Sequence, residues 1–133
     1  MIPAWVGVWV LASAVSADNP DAPRVYSRAT KHISTSDSTL TIVDDLVRLR
    51  GGVVHTEWTG TLDGKDYAVE GVEIDLTSAY TVVNEHTLEL TQKVDGRPVV
   101  RATMILSADG NTITTTTTDG MTTTTTVYRK RGT

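Results

Sequence analysis

Apolar and polar side chains alternate along most of the chain, in runs of about ten residues each. In one such run Ala29 and Ile33 share a face, whereas Arg28 and His32 lie on the other. A period of two is typical of half-buried β-strands, and no stretch shows a sustained helical period. Asp-Gly pairs, the strongest short-range signal for a β-hairpin, follow several of the runs. The pattern therefore predicts an all-β chain of strands joined by tight turns.

The alternating runs predict nine strands after an apolar first segment at residues 1–17. They span residues 24–34, 39–47, 53–61, 67–70, 75–83, 86–94, 98–106, 111–118 and 121–130. An antiparallel meander of this many short strands leaves exposed edges unless it closes on itself. We therefore predict an antiparallel up-and-down β-barrel of about 8–10 strands, wide enough to hold one small ligand in a central cavity.

The apolar segment at residues 1–17 has two interpretations. It ends in Val15-Ser16-Ala17, which imitates a signal-peptide cleavage site, but it lacks a basic N-terminal region and contains the bulky Trp5 and Trp9. It is also too short for a membrane helix, which needs about 20 apolar residues. We predict a first barrel strand and a cytoplasmic protein without a membrane span. The alternative is a secreted protein whose signal peptide is this segment.

Composition narrows the function. At 133 residues the chain has the size of one domain, so we assign residues 1–133 to a single barrel. The absence of cysteine excludes thiol nucleophiles and thiolate metal sites, and a net charge of −4 argues against nucleic acid as a partner. Threonine accounts for 24 residues and suits a pleated surface, where inward copies would give the lumen hydroxyl-lined walls.

Several short motifs resemble those of a known superfamily. Gly7-Val8-Trp9 on the first strand resembles the G-x-W start of the calycins, the lipocalin and fatty-acid-binding-protein superfamily. The phrases Asp63-Gly64-Lys65-Asp66-Tyr67 and Ser107-Ala108-Asp109-Gly110 resemble turns of small bacterial lipocalin-like domains. The resemblance implies a lipocalin-like barrel with a cavity, a first strand at 5–15 and an intracellular protein.

The resemblance also implies a ligand class. Fatty-acid-binding proteins hold a carboxylate with an Arg-x-Tyr pair on the last strand, but here Tyr128 and Arg129 are adjacent and point to opposite faces. We therefore expect the cavity to bind a small hydrophobic or amphipathic molecule in another way. The alternative is a cofactor-independent cyclase or isomerase that folds a polyketide- or terpenoid-like substrate. A third interpretation is a structural barrel filled by its own side chains.

The candidate ligand-binding residues are mostly aromatic side chains on the predicted strands. They are Trp5, Trp9, Tyr26, Trp58, Tyr67, Tyr80, Arg101, Met104 and Tyr128. Trp9 is expected to pack across one end of the barrel. Arg101 interrupts an apolar face, so it either faces solvent or reaches into the cavity to neutralise an acidic group.

Catalysis would need polar groups in the lumen. Tyr26, His55, Glu57 and Arg101 are the candidates for acid/base work, and the competing interpretation of Glu57 is a solvated outer face. The three histidines are isolated, and no nucleotide or nucleophile motif occurs. We predict no metal and no cofactor, and a monomer or homodimer.

Overall fold

The structure, a computed structural model, describes residues 3–16, 26–120 and 122–132, and it describes only the backbone of Ser16 and Tyr26. Within these residues ten strands form one antiparallel sheet. The strands are β1 (Gly7–Ser16), β2 (Tyr26–Ser36), β3 (Thr39–Arg48), β4 (Val53–Gly60), β5 (Tyr67–Glu70), β6 (Leu76–Asn84), β7 (Thr87–Val94), β8 (Arg97–Leu106), β9 (Thr112–Asp119) and β10 (Thr122–Lys130).

Each strand pairs with its neighbours in sequence, and β1 also pairs with β10, so the sheet closes into a barrel. This confirms the predicted all-β, up-and-down barrel, and the strand bounds from β2 onward agree with the prediction to within two residues. The first strand starts later than residue 5 because Pro3–Trp5 form a 3₁₀ turn closed by the Val6 amide donating to the Pro3 carbonyl. Proline favours such a start because its fixed φ suits the first turn of a helix. None of the helices among the described residues is long and apolar enough to cross a membrane.

One end of the barrel is filled by a dense apolar floor. Trp5 and Trp9 are fully buried, and Trp9 Nε1 donates to the Trp5 carbonyl oxygen at 3.0 Å. Trp5 Nε1 in turn donates to the carbonyl oxygen of Glu85, in the turn between β6 and β7, at 3.2 Å. The 3₁₀ turn and Trp9 therefore close this end together. Trp9 packs across one end of the barrel, as the sequence predicts. Further buried floor and wall residues are Ala29, Ile33, Leu40, Ile42, Trp58, Leu88, Leu106 and Ile113.

The Gly7-x-Trp9 motif has a physical reason in this barrel. Lys130 lies opposite Trp9 on β10, and its Nζ lies 5.4 Å from the centre of the Trp9 ring, within the range of a cation–π contact. A Cβ at position 7 would lie 2.8 Å from Lys130 Cε. Glycine therefore leaves the space that the lysine side chain needs to reach the ring.

Candidate ligand-binding cavity

The half of the barrel away from the floor contains a cavity of about 700 Å³. Binding sites for small molecules usually measure roughly 300–1,000 Å³. Lining residues Ala14, Leu76 and Thr122 stand at the strand ends remote from the 85–86 turn, which places the cavity opposite the tryptophan floor. The other apolar lining residues are Leu11, Leu46, Val69, Leu90, Val100, Ala102 and Met104.

A charged pair lies among these apolar residues. Lys31 on β2 and Asp44 on β3 are directly opposite each other in the sheet, and Lys31 Nζ donates to Asp44 Oδ1 at 2.8 Å. Both side chains line the cavity and are only 13% and 23% exposed, respectively. They are the two charged residues in the described lining of the cavity. The formal charges of the described lining therefore sum to zero.

The environment of the pair fixes its charge state. Burial lowers the pKa of Lys31, but the Asp44 carboxylate, together with Tyr80 and Tyr128, outweighs that effect and holds the pKa above the usual lysine value. Lys31 Nζ also lies 5.6 Å from the centre of the Tyr128 ring. Lys31 is therefore a charged ammonium at physiological pH, already neutralised by its neighbour.

Hydroxyl groups make up most of the remaining polar lining. Burial raises the pKa of Tyr80 to about 12, so its phenol stays neutral and can donate or accept a hydrogen bond. The buried Thr115 hydroxyl has no hydrogen-bond partner in the described part of the chain. The other hydroxyl and amide residues of the lining are Thr56, Gln92, Thr117, Thr122, Thr124, Thr126 and Tyr128.

Three of the predicted ligand-binding residues come together in this lining: Tyr80, Met104 and Tyr128. Trp5 and Trp9 belong to the floor. Trp58 is buried in the wall, where its ring packs 4.6 Å from the Tyr80 ring and at right angles to the Tyr67 ring.

The remaining candidates stand apart from the lining. The Tyr67 hydroxyl donates to Asp63 Oδ2 at 2.9 Å, at the outer edge of the barrel. The side chain of Tyr26 lies outside the described residues. Arg101 is exposed on the outer wall, where it borders a polar depression together with Lys93 and Thr103.

The acid/base candidates lie on the outer face. His55 and Glu57 are 53% and 55% exposed, and His55 bonds Asp45 through Nδ1 and Glu57 through Nε2. With Arg101 also outside, none of these three side chains lines the cavity described here. Among the described residues, no group of three or more His, Asp or Glu side chains could hold a metal ion.

Lys31 and Asp44 are the charged residues of the cavity lining that the sequence prediction missed. Lys31 lies between Ala29 and Ile33 on the inward face of β2, and Asp44 lies between Ile42 and Leu46 on the inward face of β3. Each charge thus interrupts an apolar alternation on an adjacent strand. Two opposite interruptions on neighbouring strands were the signal that could have identified them.

Known structures share this architecture, although no protein-family model and no curated protein matches the sequence. The wild-type fluorescent protein UnaG has a TM-score of 0.70 and 18% identity, with 98% of this chain and 99% of that chain covered. A REP1-NXSQ fatty acid transporter has a TM-score of 0.70 and 12% identity, with 96% of both chains covered. A Schistosoma mansoni fatty acid binding protein in complex with arachidonic acid has a TM-score of 0.70 and 15% identity, with 98% of both chains covered.

Identities this low establish the fold alone. The chain has the closed ten-stranded fold of the calycin barrels, the class that includes lipocalin-like and fatty-acid-binding-protein-like domains. This confirms the calycin-like barrel fold that the resemblance implied.

Proposed function

We propose that the protein binds a small hydrophobic or amphipathic molecule inside the barrel. The observation that carries this proposal is the cavity of about 700 Å³, which combines an apolar wall with one charged pair and several hydroxyl groups. Pockets with mostly apolar walls and a few convergent polar groups are the usual form of a small-molecule site. Tyr80, Met104 and Tyr128 supply wall contacts, and Lys31 and Asp44 supply the polar contacts.

The comparisons support the same class of ligand. Two of the structures with this fold are a fatty acid transporter and a fatty acid binding protein in complex with arachidonic acid. The cyclase alternative has less support because its acid/base candidates His55, Glu57 and Arg101 stand on the outer face. We therefore propose a binding protein rather than an enzyme.

Binding of an uncharged fluorescent dye, N-phenyl-1-naphthylamine, tests this proposal. The dye should bind the wild-type protein with an increase in fluorescence. Thr117→Trp should abolish that increase because Thr117 lines the cavity and an indole there fills it. Thr116→Trp is the matched control because the neighbouring side chain is exposed on the outer wall.

The two variants separate specific from surface binding. Equal dye binding by the Thr117 and Thr116 variants, with both folded by circular dichroism, would place the dye on the surface and count against a cavity function. Native mass spectrometry of protein purified from its own host provides a second measurement. Recovery of empty protein from every extract would argue against a carrier.

A further inference from the structure

The Lys31–Asp44 pair supplies the charged groups of the cavity lining, and an inference about the ligand's polar group can be drawn from it. This inference rests on the proposed function. A carboxylate ligand needs a cation with unused charge, but the ammonium of Lys31 already faces Asp44 Oδ1 at 2.8 Å. A second anion brought to Lys31 would also approach Asp44. Like charges in a site shielded from water repel each other, so Asp44 weakens the binding of a negatively charged ligand.

The other cations near the cavity do not change this balance. Arg129, next to the lumen residue Tyr128, is exposed on the opposite face of β10. Arg101 is exposed on the outer wall of β8. Lys130 packs over Trp9 in the floor. Within the described lining, Lys31 is thus the one cation that a ligand in the cavity meets.

The pair nevertheless has hydrogen-bonding capacity left. An ammonium has three N–H donors and a carboxylate has about four lone-pair positions, and the bond between Lys31 and Asp44 uses one of each. A hydroxyl group can accept from the ammonium and donate to the carboxylate at the same time. The unpartnered Thr115 hydroxyl is a further neutral group in the same lining.

We propose that the cavity selects uncharged amphipathic molecules that carry a hydroxyl group, of the long-chain or terpenoid alcohol class, and discriminates against the corresponding carboxylates. The Lys31–Asp44 pair binds the hydroxyl, and the apolar wall takes the hydrocarbon part. The discrimination comes from Asp44, which cancels the charge that would otherwise attract an anion.

The test compares three ligands with the same twelve-carbon chain: dodecanol, dodecanoate and dodecylammonium. Each is titrated into the wild-type protein at pH 8 in competition with N-phenyl-1-naphthylamine. The two ions stay below their critical micelle concentrations and dodecanol stays below its solubility limit. Dodecanol should bind more tightly than dodecanoate by roughly tenfold, since a like charge in a desolvated site costs an anion at least this factor. Tighter binding of dodecanoate would overturn the inference.

The variants locate the source of the preference. Asp44→Asn leaves Lys31 as an unpaired cation, so dodecanoate should become the preferred ligand. Lys31→Met leaves Asp44 unpaired, so dodecylammonium should become the preferred ligand. Asp45→Asn is the matched control because it removes the same charge from the next residue of β3, on the outer face beside His55.

The outcomes separate this inference from the proposed function. If neither the dye nor any of the three ligands binds the wild-type protein, the proposed function fails. If the ligands bind but Asp44→Asn and Asp45→Asn leave the same order of affinity, only the inference about the polar group fails. If Asp44→Asn does not fold, the order of the three ligands on the wild-type protein and the Lys31→Met result still decide the question.

Discussion

Trp58 Nε1 on β4 donates to the carbonyl oxygen of Ser78 on β6 at 3.0 Å, across the short strand β5. The sheet is thinly paired here, because β5 matches only two residues to each of its neighbours. The Trp58 ring is buried between the rings of Tyr67 and Tyr80. A single side chain thus joins β4 to β6 where few backbone bonds do so.

Replacing Trp58 by Phe should destabilise the barrel. The change leaves the buried Ser78 carbonyl without its partner, which costs about 1–3 kcal/mol, and it removes packed ring atoms as well. Urea unfolding followed by circular dichroism measures the loss. Tyr67→Phe is the control, since it keeps the ring against Trp58 and removes only the hydrogen bonds of the Tyr67 hydroxyl with Asp63 and Thr61. An equal loss of stability in both variants would contradict a structural role for the Trp58 bond.

Gly71, which follows β5, should tolerate no side chain. It has a φ of +97°, and an added Cβ would collide with the backbone carbonyl oxygen of His55 on β4. Gly52 has nearly the same φ, +94°, but open space around the position of a Cβ. Gly52→Ala should cost about 1–2 kcal/mol for the unfavourable φ alone. Gly71→Ala should cost clearly more, because the backbone must also move.

Thermal unfolding of the two alanine variants makes this comparison, because the backbone strain is shared and only the collision differs. Equal melting temperatures would show that the neighbouring strand yields without cost.

His55 should titrate above the usual histidine range. Its hydrogen bond with Asp45, and secondarily that with Glu57, raises the pKa of His55 above 6.5. A raised folded-state pKa means that the stabilisation is fully present below the unfolded value of about 6.5 and is lost as pH rises through the folded value. Proton NMR of the imidazole signals should show this higher midpoint. Asp45→Asn should lower it more than Glu57→Gln does.

Glu89→Gln removes the same charge from β7, elsewhere on the outer face, and should leave the His55 midpoint unchanged. If Asp45→Asn, Glu57→Gln and Glu89→Gln all changed the His55 midpoint equally, the raised pKa would come from the total charge of the protein and not from local hydrogen bonds.

The fold could be predicted from the sequence because its signals are local. Alternation and Asp-Gly turns specify strands and hairpins residue by residue, and the strand order follows once every strand pairs with its neighbour in sequence. Closure was expected because an open meander of this length would leave exposed edges, and the β1–β10 pairing provides it. The start of β1 differed because Pro3 and Trp5 form a turn that serves the floor. That turn depends on the distant Glu85 carbonyl, a contact that alternation cannot reveal.

The site was harder to predict because it depends on which face of each strand turns inward. The aromatic residues Tyr80 and Tyr128 fit an apolar lumen, and the sequence predicts both as ligand-binding residues. Lys31 and Asp44 carry charges that are normally solvated, so their inward positions have meaning only as a pair. Their pairing depends on the β2–β3 register, in which the two residues are opposite, so each strand has to be considered together with its neighbour.

The same pair should show strong coupling in a double-mutant cycle. Lys31→Met or Asp44→Asn alone leaves one group in the cavity without its partner, and each should cost about 1–3 kcal/mol. The double variant leaves no unpaired charge, so its cost should fall well below the sum of the single costs.

The matched cycle uses Lys93→Met and Asp66→Asn, whose ion pair on the outer wall spans 3.1 Å with side chains 30% and 38% exposed. There the coupling should stay below about 1 kcal/mol, because water screens the charges. Urea unfolding of all the variants gives both coupling energies, and additive costs at Lys31 and Asp44 would mean that water in the cavity solvates the two charges independently.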